Sequence, residues 1–70
     1  MTYFEALFEI EKGSLGENKK TGNLYEVLDV AQHSEDESPL VIYKRARNDM
    51  KKLWARPADL WLKKFEKEAD

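Results

Sequence analysis

The sequence predicts an α+β fold: a small barrel-like sheet of about three antiparallel strands, closed by a helix at each end. Three observations carry this. Apolar residues recur at helical spacing in residues 3–12 and again from Leu60 to Phe65. Between them lie two strand-like stretches, 24–31 and 40–46, bounded by turn-forming residues. The chain has 70 residues and no cysteine, so it reads as one domain, 1–70, that folds without a disulfide framework.

In chain order, Thr2 and Glu5 have the spacing of a capping box, in which a hydroxyl and a carboxylate each satisfy an orphan amide. Phe4, Leu7, Phe8 and Glu11 follow at helical spacing, Tyr3 and Ile10 widen the apolar side, and Gly13 supplies a C-terminal stop. These predict a helix over 3–12, although the same aromatics would be tolerated in an edge strand. Residues 13–23 are polar, hold all three glycines and predict a loop. In the strand 24–31, Leu24, Leu28 and Val30 fall on one face and Tyr25, Val27 and Ala31 on the other. Two partly apolar faces mark a central strand.

Residues 32–39 form an acidic turn, and Pro39 favours extended backbone into the second strand. Asn48-Asp49 predicts a turn and Leu53 to Arg56 a short third strand. Pro57 suits the first turn of a closing helix carrying Leu60, Trp61, Lys64 and Phe65 on one face. Residues 66–70 are expected to fray.

The net charge of −2 conceals an uneven distribution. Residues 1–38 hold nine acids and three bases, a net of −6, while residues 39–70 hold nine bases and five acids, a net of +4. A uniformly basic nucleic-acid binder is excluded; one basic ridge is not. The longest apolar run, Leu40-Val41-Ile42-Tyr43, is far below the ~20 residues of a membrane-spanning helix. The first residues lack a basic stretch leading into an apolar core, so neither membrane insertion nor a secretory signal is expected. The absence of cysteine points to the reducing cytoplasm.

The segments Leu24-Tyr25-Glu26-Val27-Leu28, Val30-Ala31 and His33-Ser34-Glu35 resemble the opening of the bacterial DUF1653 family, small proteins of unknown function. Leu40-Val41-Ile42-Tyr43 and Leu53-Trp54-Ala55-Arg56-Pro57 resemble its later motifs, and Trp61 stands at a usual aromatic position. The resemblance covers residues 22–65 and implies an SH3-like domain with no established enzymatic activity. The chain departs from the pattern at Asp29, where the family usually has Gly, and at Gln32, where it has Arg. It departs also in residues 47–52, which replace a glycine-rich turn, and in Asn18-Lys19-Lys20-Thr21, which replace a Tyr-x-His approach. The N-terminal helix lies outside the pattern.

Candidate chemistry is sparse. His33, beside Ser34, Glu35 and Asp36, could be a carboxylate-oriented general base of a hydrolase or a metal or other ligand contact, or could simply hold a turn by local hydrogen bonds. A catalytic metal site needs about three protein ligands, and neither a second histidine nor any cysteine is available, so no metal is expected. No phosphate loop, nucleophile elbow or carboxylate pair appears, which predicts a non-enzymatic chain without a cofactor. Arg56 presents a fork suited to carboxylate or phosphate; the alternative is internal pairing with Glu26 or Glu35 while Trp54 packs in the core. Tyr43 is either a core or cross-strand partner or a recognition ring.

Lys44, Arg45, Arg47, Lys51, Lys52 and Arg56 against Asp49 give residues 44–56 a net of +5. That is either a solvated face or, with Tyr43 and Trp54, a nucleic-acid surface. The stripe containing Phe4, Leu7 and Phe8 is either core or a partner surface. The leading expectation is protein recognition through Tyr43, Trp54, Trp61 and the helix; the alternative is nucleic-acid, nucleotide or anion binding through residues 44–56.

Overall fold

A computed structural model describes residues 1–47 and 52–68. The expected turn at Asn48-Asp49 lies outside the described residues. Helix α1 (Tyr3–Glu9) leads into strands β1 (Leu15–Asn18), β2 (Leu24–Gln32), β3 (Pro39–Arg45) and β4 (Trp54–Pro57), then helix α2 (Ala58–Lys64) and strand β5 (Phe65–Lys67). The strands form one antiparallel sheet in the order β4-β3-β2-β1-β5. The α+β class holds. The expected count of about three strands is corrected to five in one open sheet, with β2 at its centre as its two apolar faces predict.

The capping box at the start of α1 is formed: the Glu5 amide donates to the Thr2 hydroxyl at 3.1 Å and the Thr2 amide to the Glu5 carboxylate at 2.8 Å. The helix ends at Glu9 rather than at residue 12, because the sheet captures the chain beyond it. Gly13, at φ +86°, donates its amide to the Val27 carbonyl, and the Val27 amide donates to Ser14. A left-handed backbone there is cheap only for glycine.

Two strands escape the sequence pattern. β1 lies inside the expected loop, and β5 takes Phe65 from the expected closing helix and residues 66–67 from the expected frayed end. β1 is short and poorly apolar; its order comes from neighbours on both sides, β2 and β5. The turn from β1 to β2 is held by Asn18, whose side-chain carbonyl accepts from the Lys20 and Thr21 amides.

A bulge at Leu28 changes the facing of β2. Val27 pairs with Tyr43 but Asp29 pairs with Ile42, so the register shifts by one residue. Strict alternation sets Val27 and Val30 on opposite faces; the bulge brings both inward, where both are buried. The Asp29 carboxylate accepts the Val30 amide at 2.8 Å.

The core comprises Ala6, Ile10, Val27, Val30, Val41, Tyr43, Ala58, Trp61 and Phe65. Trp61 and Phe65 stack with ring centroids 4.0 Å apart and planes 11° from parallel. Tyr25 meets Tyr43 and Phe65 edge-on. The Trp61 ring also lies on Gly16: a Cβ at that position would stand 2.6 Å from Trp61 Cζ2. Because that ring is buried and stacked, it cannot yield cheaply. Gly16→Ala is expected to destabilise the domain by about 1–3 kcal/mol, the usual range for overpacking, as read from urea unfolding; an unchanged midpoint would contradict this packing.

Candidate interaction surfaces

The helix α1 has two apolar sides, and the fold uses the less bulky one. Ala6 and Ile10 are buried, and Tyr3 packs beside them. Spacings of three and four residues set these on one side and leave Phe4, Leu7 and Phe8 turned away. Phe8 is 96% exposed, Phe4 77% and Leu7 45%. Of the two sequence readings, core or partner surface, the structure places this trio at the surface. Glu5 and Glu9 line the shallow depression beside Phe4 and Phe8, and the last turn has no basic residue.

The expected aromatic groove is not open. Tyr43 and Trp61 are core residues, at 5% and 4% exposure, so neither ring offers a recognition face. Their burial follows from strand and helix geometry: Tyr43 sits on the inner face of β3, and Trp61 points down from α2 onto Gly16. Trp54 alone of the three reaches the surface, stacked on Tyr43 at 5.9 Å, with exposed Leu53 before it.

Among the described residues Arg56 makes no ion pair with Glu26 or Glu35, so the expected internal pairing is not formed. Its guanidinium carbon lies 5.3 Å from the Phe65 ring centroid, a cation–π contact, and Glu26 instead faces Lys44 at 3.8 Å. The helix that follows it, α2, has seven residues. The basic ridge is likewise divided. Lys44 is on the opposite strand face from Tyr43, paired with Glu26; Lys52 is exposed; Lys51 lies outside the described residues. Arg45 and Arg47 line one cavity together with Gly22, Asn23 and Leu24.

His33 sits in the exposed turn between β2 and β3. Its Nδ1 accepts the Glu35 amide at 3.0 Å, and its backbone amide donates to the Ser38 carbonyl. Asp36 accepts from both the amide and the hydroxyl of Ser38. Among the described residues no group of three His, Cys, Asp or Glu side chains could hold a metal ion, and no helix is long and apolar enough to cross a membrane.

Three surface carboxyls are held below their ordinary pKa. Hydrogen bonds from the Thr2 backbone and hydroxyl lower Glu5, the Lys67 ammonium lowers Glu11, and the Ser38 hydroxyl and amide lower Asp36. A carboxyl depressed in the folded state stabilises that state above its unfolded value, 4.5 for Glu and 3.8 for Asp. That contribution is lost as pH falls through the folded-state value. Urea midpoints are therefore expected to fall on acidification below pH 4.5. Glu5→Gln should flatten part of that decline, and a profile identical to wild type would contradict the role of the capping box.

Residues 20–70 match the sequence model of a family described as "Protein of unknown function (DUF1653)". The chain belongs to this family, and α1 and β1 precede the matched region. Among the curated proteins and the solved structures, nothing matches it.

Proposed function

We propose that this DUF1653 member is a non-enzymatic protein-recognition module, a small accessory or inhibitory protein that docks on a larger partner through the outer face of α1. The observation that carries this reading is the exposure of Phe4, Leu7 and Phe8 on one side of a capped helix whose other side already anchors it. Their burial against the sheet is sterically precluded while Tyr3, Ala6 and Ile10 occupy that side. Large apolar side chains gathered on a surface mark an interaction site far more specifically than single ones do.

The rim defines the partner's chemistry. Glu5 and Glu9 flank the apolar trio, so the complementary surface is apolar at its centre and carries Lys or Arg at its edge. Two copies meeting through this face alone would set acid beside acid, which disfavours a symmetric pair. The sheet is read as SH3-like: β1 to β4 form a meander, and β5 returns past α2 to pair with β1. The exposed Trp54 and Leu53 supply a smaller second contact.

Affinity capture with the intact chain, compared with Phe4→Glu/Phe8→Glu, tests this. A partner held by the wild type is expected to bind the variant at least ~30-fold more weakly, the effect of losing about 2 kcal/mol at an interface hot spot. The thermal midpoint should stay close to wild type, because both rings are exposed. Glu9→Lys should weaken the same partner. Equal retention by wild type and a folded double variant would overturn the proposal.

A further inference from the structure

Most cations placed on the sheet already have an internal partner. Lys44 faces Glu26, Lys67 binds Glu11, and Arg56 lies over Phe65. Arg45 and Arg47 differ. Among the described residues neither has a carboxylate within ion-pair distance or a ring beneath its guanidinium, yet both line the same cavity of about 410 Å³. Two like charges sharing one cavity repel each other, and an anion between them removes that cost.

The local fold explains the convergence. Arg45 stands opposite Tyr25 near the start of β2. The Ala46 amide then donates to the Leu24 carbonyl at 3.1 Å, so the chain holds to β2 for one more step and brings Arg47 to the β1–β2 turn. In that turn Gly22 adopts φ +78°. The turn's amides are already taken: Asn18 accepts from Lys20, Thr21 and Gly22, and the Thr21 hydroxyl accepts from Asn23. Side chains must therefore supply the recognition. Asn23 and Leu24 complete the described lining, one polar and one apolar. Glu17 approaches Gly22, but it is not among the lining residues.

We propose that this cavity, lined among the described residues by Gly22, Asn23, Leu24, Arg45 and Arg47, is a binding site for a small organic phosphate monoester. The class follows from charge and volume. Two guanidinium groups match a phosphate monoester of about −1.5 to −2 charge at neutral pH, whereas a single carboxylate leaves one arginine uncompensated. Guanidinium forks suit phosphate oxygens. The cavity falls within the ~300–1,000 Å³ common for small-molecule sites, far more than inorganic phosphate fills, so the ester's organic part lies against Leu24. The site shares no residue with the α1 face and does not depend on the docking proposal.

The test is titration of the intact ¹⁵N-labelled chain with phenyl phosphate, inorganic phosphate and benzoate, followed by NMR. Phenyl phosphate is expected to shift the Gly22, Asn23 and Leu24 amides and the Arg45 and Arg47 side-chain signals. It should bind at least ~10-fold more tightly than either fragment. Arg45→Gln/Arg47→Gln should weaken it ~10-fold or more with the fold intact, while Lys52→Gln changes affinity less than twofold. Arg45→Gln alone, expected to weaken binding severalfold, serves if the double variant fails to fold. Three results would overturn the proposal: no saturable shifts with phenyl phosphate, binding insensitive to the arginine variants, or a single-stranded oligonucleotide that binds more tightly and moves Lys44 and Lys52 as strongly as Arg45 and Arg47. The last outcome would assign the ridge to nucleic acid.

Discussion

The Trp61 indole resting on the bare α-carbon of Gly16 is the contact on which the rest of the structure depends. A side chain at residue 16 would collide with that ring. Without one, Trp61 packs closely against Gly16 of β1 and Phe65, four residues on, stacks with it. The chain can then leave α2 as an extended strand, and β5 pairs with β1. Tyr25 and Tyr43 close the cluster edge-on and at a tilt, and Arg56 covers Phe65. Such ring pairs are worth about 0.5–1.5 kcal/mol each beyond the area they bury. That matters in a domain of this size, which buries only roughly 60% of its unfolded surface.

A core gathered around these rings has room for only one narrow side of α1. Ala6 allows the helix backbone to come close, Ile10 fills the space beyond it, and the sheet's hydrogen bonds to Gly13 and Ser14 stop the helix soon afterwards. The bulkier side chains are left outside with two carboxylates for company. The basic character of the second half is similarly sorted by packing. Lys44 pairs with Glu26 and Arg56 lies over Phe65, while Arg45 and Arg47 share one cavity at the end of the central strands. The near-neutral whole carries an acidic apolar face and a separate basic cavity.

How much of the fold is legible in the sequence depends on the range of the forces involved. Thr2 and Glu5 announce their capping box because its hydrogen bonds are local. Strands β2, β3 and β4 are legible in alternation and in Pro39, each within a residue or so of its place. β1 and β5 are not, since Gly16 and Lys67 join a sheet only through pairing across the fold. The bulge at Leu28 defeats strict alternation, and so the facing of Val27 and Val30 could not be read. In α1 two stripes satisfy the same helical period, and phenylalanine draws more weight in such a pattern than the alanine that actually docks. Charge counting located the basic stretch but not its faces, so it grouped Lys44 with Arg45. His33 was marked by composition; its turn uses the imidazole as a hydrogen-bond acceptor.

At the centre of this account is the division of α1 into an inner side that holds the fold and an outer side free of it. Equilibrium urea unfolding of Ile10→Ala beside Phe4→Ala/Phe8→Ala measures that division directly. Ile10→Ala should cost about 2–5 kcal/mol, as buried isoleucines do, and the phenylalanine pair no more than about 1 kcal/mol, as exposed positions do. A loss of several kcal/mol from the phenylalanine pair, with Ile10→Ala nearly neutral, would show that the helix packs by its other face and would remove the docking surface.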